Sequence, residues 1–80
     1  MKTYTTEEIE LSMQDKLFRE AFGPNWDRVK AAPKPLKFQR GYGYEIPSEF
    51  IGWEWSTTFG RWGAVVKWED GSEWYTYPKI

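Results

Sequence analysis

Asp70-Gly71 lies between two runs rich in Trp, Tyr and Val, and it constrains the fold more than any other dipeptide in the chain. Asp-Gly flanked by apolar runs marks a two-residue type I′ hairpin, because both central positions need positive φ. That turn pairs Glu69 with Ser72, Lys67 with Trp74, Val66 with Tyr75 and Ala64 with Tyr77. Upstream, Gly60-Arg61 fits a type II′ turn with Gly at the first central position. It pairs Phe59 with Trp62, Thr57 with Ala64, Trp55 with Val66, Glu54 with Lys67 and Trp53 with Trp68. The two turns, assigned separately, agree about faces. One face carries Trp53, Trp55, Thr57, Phe59, Trp62, Ala64, Val66, Trp68, Tyr75 and Tyr77. The other carries Glu54, Ser56, Thr58, Val65, Lys67, Glu69, Ser72, Trp74 and Thr76. A slip of one residue would exchange the two faces of a strand. The first face is expected to pack on a helix and the second to meet water, with Glu54–Lys67 as a cross-strand ion pair worth at most ~1 kcal/mol.

The helix is expected at the N-terminus. Thr5-Thr6-Glu7-Glu8 reads as a capping box, with Thr5 as N-cap and Glu8 three residues on. Ile9, Met13, Leu17 and Ala21 follow at spacing four, with Leu11, Phe18 and Phe22 beside them, so the spacing predicts one amphipathic helix over 5–22. Gly23-Pro24 is expected to end it. Asn25 is placed to cap a short helical piece, Trp26 to Ala32, and Pro33-Lys34-Pro35 forces an extended stretch. Residues 36–46 alternate apolar and polar, with Arg40 on the apolar side, and Pro47-Ser48-Glu49 reads as a turn. The expected architecture is a single α+β domain over 1–80. It has one N-terminal amphipathic helix (5–22), a basic Pro-containing connector (23–35) and a four-stranded antiparallel β-meander (36–78, strands 36–46, 51–59, 62–69 and 72–77). The alternative is an SH3-like small β-barrel with an N-terminal helix.

Composition narrows the function classes. Sixteen of 80 residues are aromatic, six of them Trp, a share that disordered chains lack and that suits a small core built from large side chains. With no Cys and no His, disulfides, thiol nucleophiles, Cys/His zinc sites and imidazole catalysis are excluded. No apolar run approaches transmembrane length, and residues 1–8 lack the apolar centre of a signal peptide. A cytoplasmic protein is expected. Carboxylate pairs occur as Glu7/Glu8 and Glu69/Asp70, at a helix start and a hairpin turn. Catalytic carboxylates need burial or a like charge in a cleft, and neither a phosphate loop nor metal-ligand spacing is present. The chain is read as a non-enzyme with no cofactor and no metal.

Two binding chemistries are expected instead. The hairpin register puts Trp74 on the polar face of an edge strand, opposite Lys67 and near Val65. There it is either a binding anchor, a ring laid over Lys67, or a ring covered by residues 25–35. Trp74, Lys67, Val65 and Trp26 are the protein-binding candidates, with strand pairing along the 72–77 edge as one mode and Pro78 limiting its extent. The second chemistry follows from charge. The net charge of −1 hides a basic centre: residues 1–22 sum to −2, residues 23–44 to +4 and residues 45–80 to −3. Arg28, Lys30, Lys34, Lys37 and Arg40 alternate with Trp26, Phe38, Tyr42 and Tyr44, the pattern that single-stranded nucleic acid needs for phosphates and base faces. The bland reading of the same segment is a solvated basic linker whose rings pack on the sheet.

Arg40-Gly41-Tyr42-Gly43-Tyr44 is similar to the first five positions of the RNP1 motif of RNA-recognition-motif domains. The likeness covers those five residues; Glu45 stands where the motif has an apolar residue, and the last third reads as strands where that fold has a helix. Residues 52–78 resemble a WW domain in outline, through Gly52-Trp53-Glu54, Gly60-Arg61, Trp74 and Pro78. Trp62-Gly63-Ala64-Val65 replaces that family's groove aromatics, so proline-peptide binding does not carry over. Short, cysteine-free, aromatic-rich chains of this type also resemble small phage or mobile-element proteins that bind and inhibit a host protein, anti-defence factors included. That likeness implies a host protein as partner, with single-stranded nucleic acid as the alternative.

Overall fold

A computed structural model describes residues 3–80. The elements run β1 (Thr3–Tyr4), α1 (Thr6–Ser12), α2 (Lys16–Ala31), β2 (Phe38–Arg40), β3 (Gly43–Glu45), β4 (Glu49–Ser56), β5 (Arg61–Lys67) and β6 (Glu73–Thr76). The chain is an α+β fold with two helices and antiparallel sheets.

The expected capping box forms. The Thr5 hydroxyl accepts from the Glu8 N–H and the Glu8 carboxylate accepts from the Thr5 N–H, both at 3.2 Å. The single helix over 5–22 does not form. α1 stops at Ser12, and Asp15 caps a second helix by accepting from the Phe18 N–H at 3.0 Å. The break changes which side chains are buried. Ile9 from α1 and Phe22, Trp26 and Val29 from α2 enter the core, whereas Leu11 and Leu17 stay exposed. Nor does Gly23-Pro24 end a helix. Pro24 sits inside α2, where the lost hydrogen bond and the ring clash cost roughly 3 kcal/mol. Burial of Trp26 and Val29 beyond it returns about 1.5–3 kcal/mol per side chain, so continuing the helix wins. Asn25 and most of the expected connector 23–35 are therefore helical. The helix ends with Arg28 and Lys30 in its last turn, where positive charge suits the dipole.

The main sheet has the order β1-β4-β5-β6, all antiparallel. β1 was not expected; it takes the edge position assigned to 36–46, pairing Thr3 with Glu54 and Tyr4 with Trp53. Gly52 allows this approach, since a Cβ there would collide with the Thr3 side chain and lie 2.9 Å from the Tyr4 carbonyl oxygen.

Both hairpins use longer loops than the dipeptides predicted. Between β4 and β5 the loop is 57–60, closed by Ser56 opposite Arg61. The Ser56 hydroxyl accepts from the Phe59 N–H at 3.1 Å and its carbonyl accepts from the Gly60 N–H at 2.8 Å. Trp55 thus pairs with Trp62 and Trp53 with Ala64, a shift of an even number of residues that leaves Trp53, Trp62 and Ala64 on one face. Between β5 and β6 the Trp68 N–H donates to the Ser72 carbonyl and the Gly71 N–H to the Trp68 carbonyl, both at 2.9 Å. Gly71 has φ +87, which fits a three-residue loop with a left-handed glycine. The register moves by one residue: Val66 pairs with Trp74, Lys67 with Glu73 and Ala64 with Thr76. Trp74 and Thr76 consequently join the Val66 face, and Tyr75 joins the Val65 face. The expected Glu54–Lys67 pair does not form, because Glu54 faces Gly63 and Lys67 faces Glu49 and Glu73.

Residues 36–46 are a hairpin instead of one strand. It turns at Gly41-Tyr42, with Gly41 at φ +62, and pairs Phe38 with Glu45, Gln39 with Tyr44 and Arg40 with Gly43. Thr76 at the end of β6 and the residues that follow it tie this hairpin down. The Gln39 N–H donates to the Tyr77 carbonyl (2.9 Å), the Lys79 N–H to the Lys37 carbonyl (2.8 Å) and the Thr76 hydroxyl to the Gln39 carbonyl (2.6 Å). Among the described residues no pairing joins β3 to β1, the contact that would close a barrel. The core is aromatic: Trp26 meets Trp53 edge-on at 5.6 Å and Phe22 stacks on Trp62 at 4.9 Å.

Candidate functional site

The hairpin β2–β3 is presented to solvent by an arginine clamp. Arg40 extends over the buried Trp68, its guanidinium 4.8 Å from the ring centroid and 5.9 Å from that of Trp74. It donates to Glu69 at 2.7 Å and lies 3.7 Å from both Glu45 and Asp70. The hydrogen bond from Arg40 is the main cause holding the Glu69 carboxyl below its ordinary range. Hydrogen bonds from Ser72 do the same for Asp70, with Arg40 adding to the effect. The Arg40 side chain therefore fastens the hairpin to the β5–β6 loop at two carboxylates, Glu69 and Asp70, and meets a third, Glu45, within the hairpin itself. It is spent on structure, as is Lys34, whose ammonium donates to the Val29 carbonyl.

Beyond the clamp and the contacts to residues 76–79, where the Lys79 ammonium lies 5.6 Å from the Tyr44 ring centroid, the outer edge of the hairpin faces solvent. All three residues of β3 are exposed, and among the described residues β2 is its only sheet neighbour. Arg40 and Gly43 close the two-residue turn, so the alternation of an antiparallel ladder aims the Tyr44 N–H and C=O at the open side. Among the described residues no backbone hydrogen bond links Tyr42, Tyr44 or Ile46 to another element. The side chains along this edge are large. Tyr42 is fully exposed, and Tyr44, Ile46 and Phe50 are partly so. At the base of the hairpin, beside Ile46 and Phe50, a cleft of about 340 Å³ opens, its apolar walls including Leu36, Phe38, Ile46, Pro47 and Phe50.

The candidates expected from sequence scatter over the molecule. Trp26 is core, 4% exposed, which removes it as a surface anchor: α2 runs through it instead of ending before it. Trp74 keeps 41% of its surface, but it stands on the Val66 face against Trp68 at 5.9 Å. It is shielded by Arg40, not by Lys67 or residues 25–35. Val65 and Lys67 lie on the other face. The 72–77 edge is partly occupied, since the Tyr77 carbonyl is bonded to Gln39. Of the basic set, Arg28 and Lys30 are on the exposed side of α2, Lys37 is exposed beside Lys79, and Tyr42 is at the hairpin tip. Lys34 and Arg40 are engaged internally. Reading 36–46 as one strand hid the open edge; Gly41 with Gly43 flanking Tyr42 is the signal that would have revealed the turn.

Among the described residues no group of three or more His, Cys, Asp or Glu is placed to hold a metal ion, and no helix is long and apolar enough to cross a membrane. Compared with protein families, characterised proteins and solved structures, the chain matches none.

Proposed function

We propose that the chain is a non-catalytic protein-binding module that takes a strand of its partner along the open edge of β3. The observation supporting this is a strand edge with unpaired backbone groups lying beside exposed Tyr42, Tyr44 and Ile46 and an apolar cleft. Soluble proteins generally cover or charge such edges. An added strand satisfies the outward N–H and C=O groups, and its alternate side chains reach the cleft, which is the usual division between affinity and specificity in strand addition. The Arg40 clamp holds the edge in place before the partner arrives, lowering the ordering cost of association. A host-directed inhibitor of the kind phages and mobile elements encode would act through such an edge by occupying its target's own pairing surface.

The alternative, single-stranded nucleic acid along 26–44, is disfavoured because Lys34 and Arg40 are already bound within the protein. The test is capture of partners from source-cell lysate on the immobilised chain and on a Tyr42→Asp/Ile46→Asp variant, with and without nuclease. A protein retained by the wild type and lost by the variant supports the proposal. Equal retention by both overturns it, as does capture that nuclease abolishes.

A further inference from the structure

A different surface is assembled on the face of the main sheet that carries Val65 and Tyr75. The Tyr75 ring lies across Gly63: a Cβ at residue 63 would sit 2.6 Å from the Tyr75 Cζ and 2.7 Å from its hydroxyl. That hydroxyl donates to the Arg61 carbonyl at 2.9 Å, so the ring is pinned flat on the strand. Phe59, carried by the β4–β5 loop, is parallel to it within 6°, with centroids 6.2 Å apart, and is 65% exposed. Tyr77 meets Tyr75 edge-on at 5.5 Å. The Arg61 guanidinium rests 3.3 Å from the Tyr77 centroid, and among the described residues it has no carboxylate partner within ion-pair distance. These four side chains line an open cleft of about 390 Å³.

We propose that this platform binds single-stranded nucleic acid, stacking a base on Tyr75 and Phe59 and meeting its phosphate with Arg61. The chemistry is complementary on both counts. Fixed ring faces give sequence-tolerant base stacking, and the guanidinium above Tyr77 offers unused donors to an anion. Pinning by Gly63 and the Arg61 carbonyl means that little side-chain freedom is lost on binding. Burial, then the neighbouring Tyr77, pushes the Tyr75 hydroxyl up to about 12, so it stays a neutral donor and adds no negative charge beside a phosphate. Glu54, opposite Gly63 on β4, confines the phosphate to the Arg61 end. One cation implies about one phosphate contact, so the salt dependence is shallow, with a slope near −0.7 in log K against log salt.

The test is a ¹⁵N-amide NMR titration of the full chain with oligothymidylate and, separately, with thymidine monophosphate. It is run on the wild type, Phe59→Ala and Arg61→Gln, two exposed positions whose substitution leaves the core intact. The expected result is oligonucleotide-induced shifts confined to 57–63 and 75–77, with affinity falling about 5- to 150-fold in Phe59→Ala. The salt slope should vanish in Arg61→Gln. The proposal is overturned by shifts mapping instead to 26–44, by affinity unchanged in Phe59→Ala, or by no shift at millimolar oligonucleotide. It is also overturned if the monophosphate binds as tightly as the strand, which would make the site one for free nucleotides.

Discussion

At the scale of single residues, the glycines that matter are those that bear another chain segment. Gly63 is the clearest. A methyl group there meets the Tyr75 ring and also the Thr76 carbonyl oxygen, 2.9 Å away, and the backbone of β6 has less freedom to yield than a side-chain tip. Gly63→Ala is therefore expected to destabilise the fold by about 1–3 kcal/mol, the range for an added methylene in a packed site. A urea titration reads this as a lower midpoint with unchanged slope. A midpoint within error of the wild type would mean that the Tyr75 ring is not pinned. Nothing in the sequence marked Gly63 as special, since its constraint comes from a residue on the adjacent strand. The Thr5/Glu8 capping box was legible because both partners lie within one helical turn. Trp26 was not, because its burial depends on where α2 meets Trp53.

At the scale of elements, errors in the sequence reading follow from ranking local turn chemistry above packing. Gly23-Pro24 is a strong stop signal, yet α2 continues because Trp26 and Val29 are worth more buried than the proline costs. This carries a consequence for stability. Pro24 is exposed and interior to the helix, so Pro24→Ala restores the N–H and is expected to stabilise the domain by up to about 3 kcal/mol. Thermal unfolding followed by circular dichroism checks it; a lower melting temperature would show that the ring is needed. The hairpins teach the same lesson. Asp70-Gly71 located a turn correctly, but the loop also took in Glu69, and that one residue moved Trp74 from the Val65 face to the Val66 face. Arg40, which spoiled the alternation of 36–46, was the best hint that this segment was not a simple strand. Its clamp predicts an acid sensitivity. Glu69 and Asp70 are held below their ordinary range in the fold. Their contribution is thus present above the unfolded carboxylate range and lost as pH falls through the folded values. The melting temperature should decline below about pH 4, less steeply in Arg40→Gln than in the wild type. Parallel declines in the two proteins would show that the clamp does not couple to folding.

At the scale of the whole molecule, the structure divides into a firmly held sheet and a lightly held hairpin. β4 and β5 are paired on both sides and carry buried Trp53, Ala64 and Val66. β2–β3 is tied to the rest through Phe38, the Arg40 clamp and the three hydrogen bonds to residues 76–79. Amides open with free energies set by the contacts that must break, so exchange should be slowest in β4 and β5 and fastest in β3. The Tyr44 amide should lack protection altogether, since it faces solvent across the open edge. This ordering ties stability to the proposed function. A partner strand laid along β3 captures the outward groups of Tyr44 and slows its exchange, while leaving the amides of β5 almost unchanged. Hydrogen exchange of the free chain and of its complex, read residue by residue, distinguishes edge pairing from binding elsewhere. Protection gained at Tyr44 and Ile46 is the signature of strand addition. Protection that arises only at 57–63 and 75–77 would place the partner on the Tyr75 platform and remove the β3 edge as the docking site.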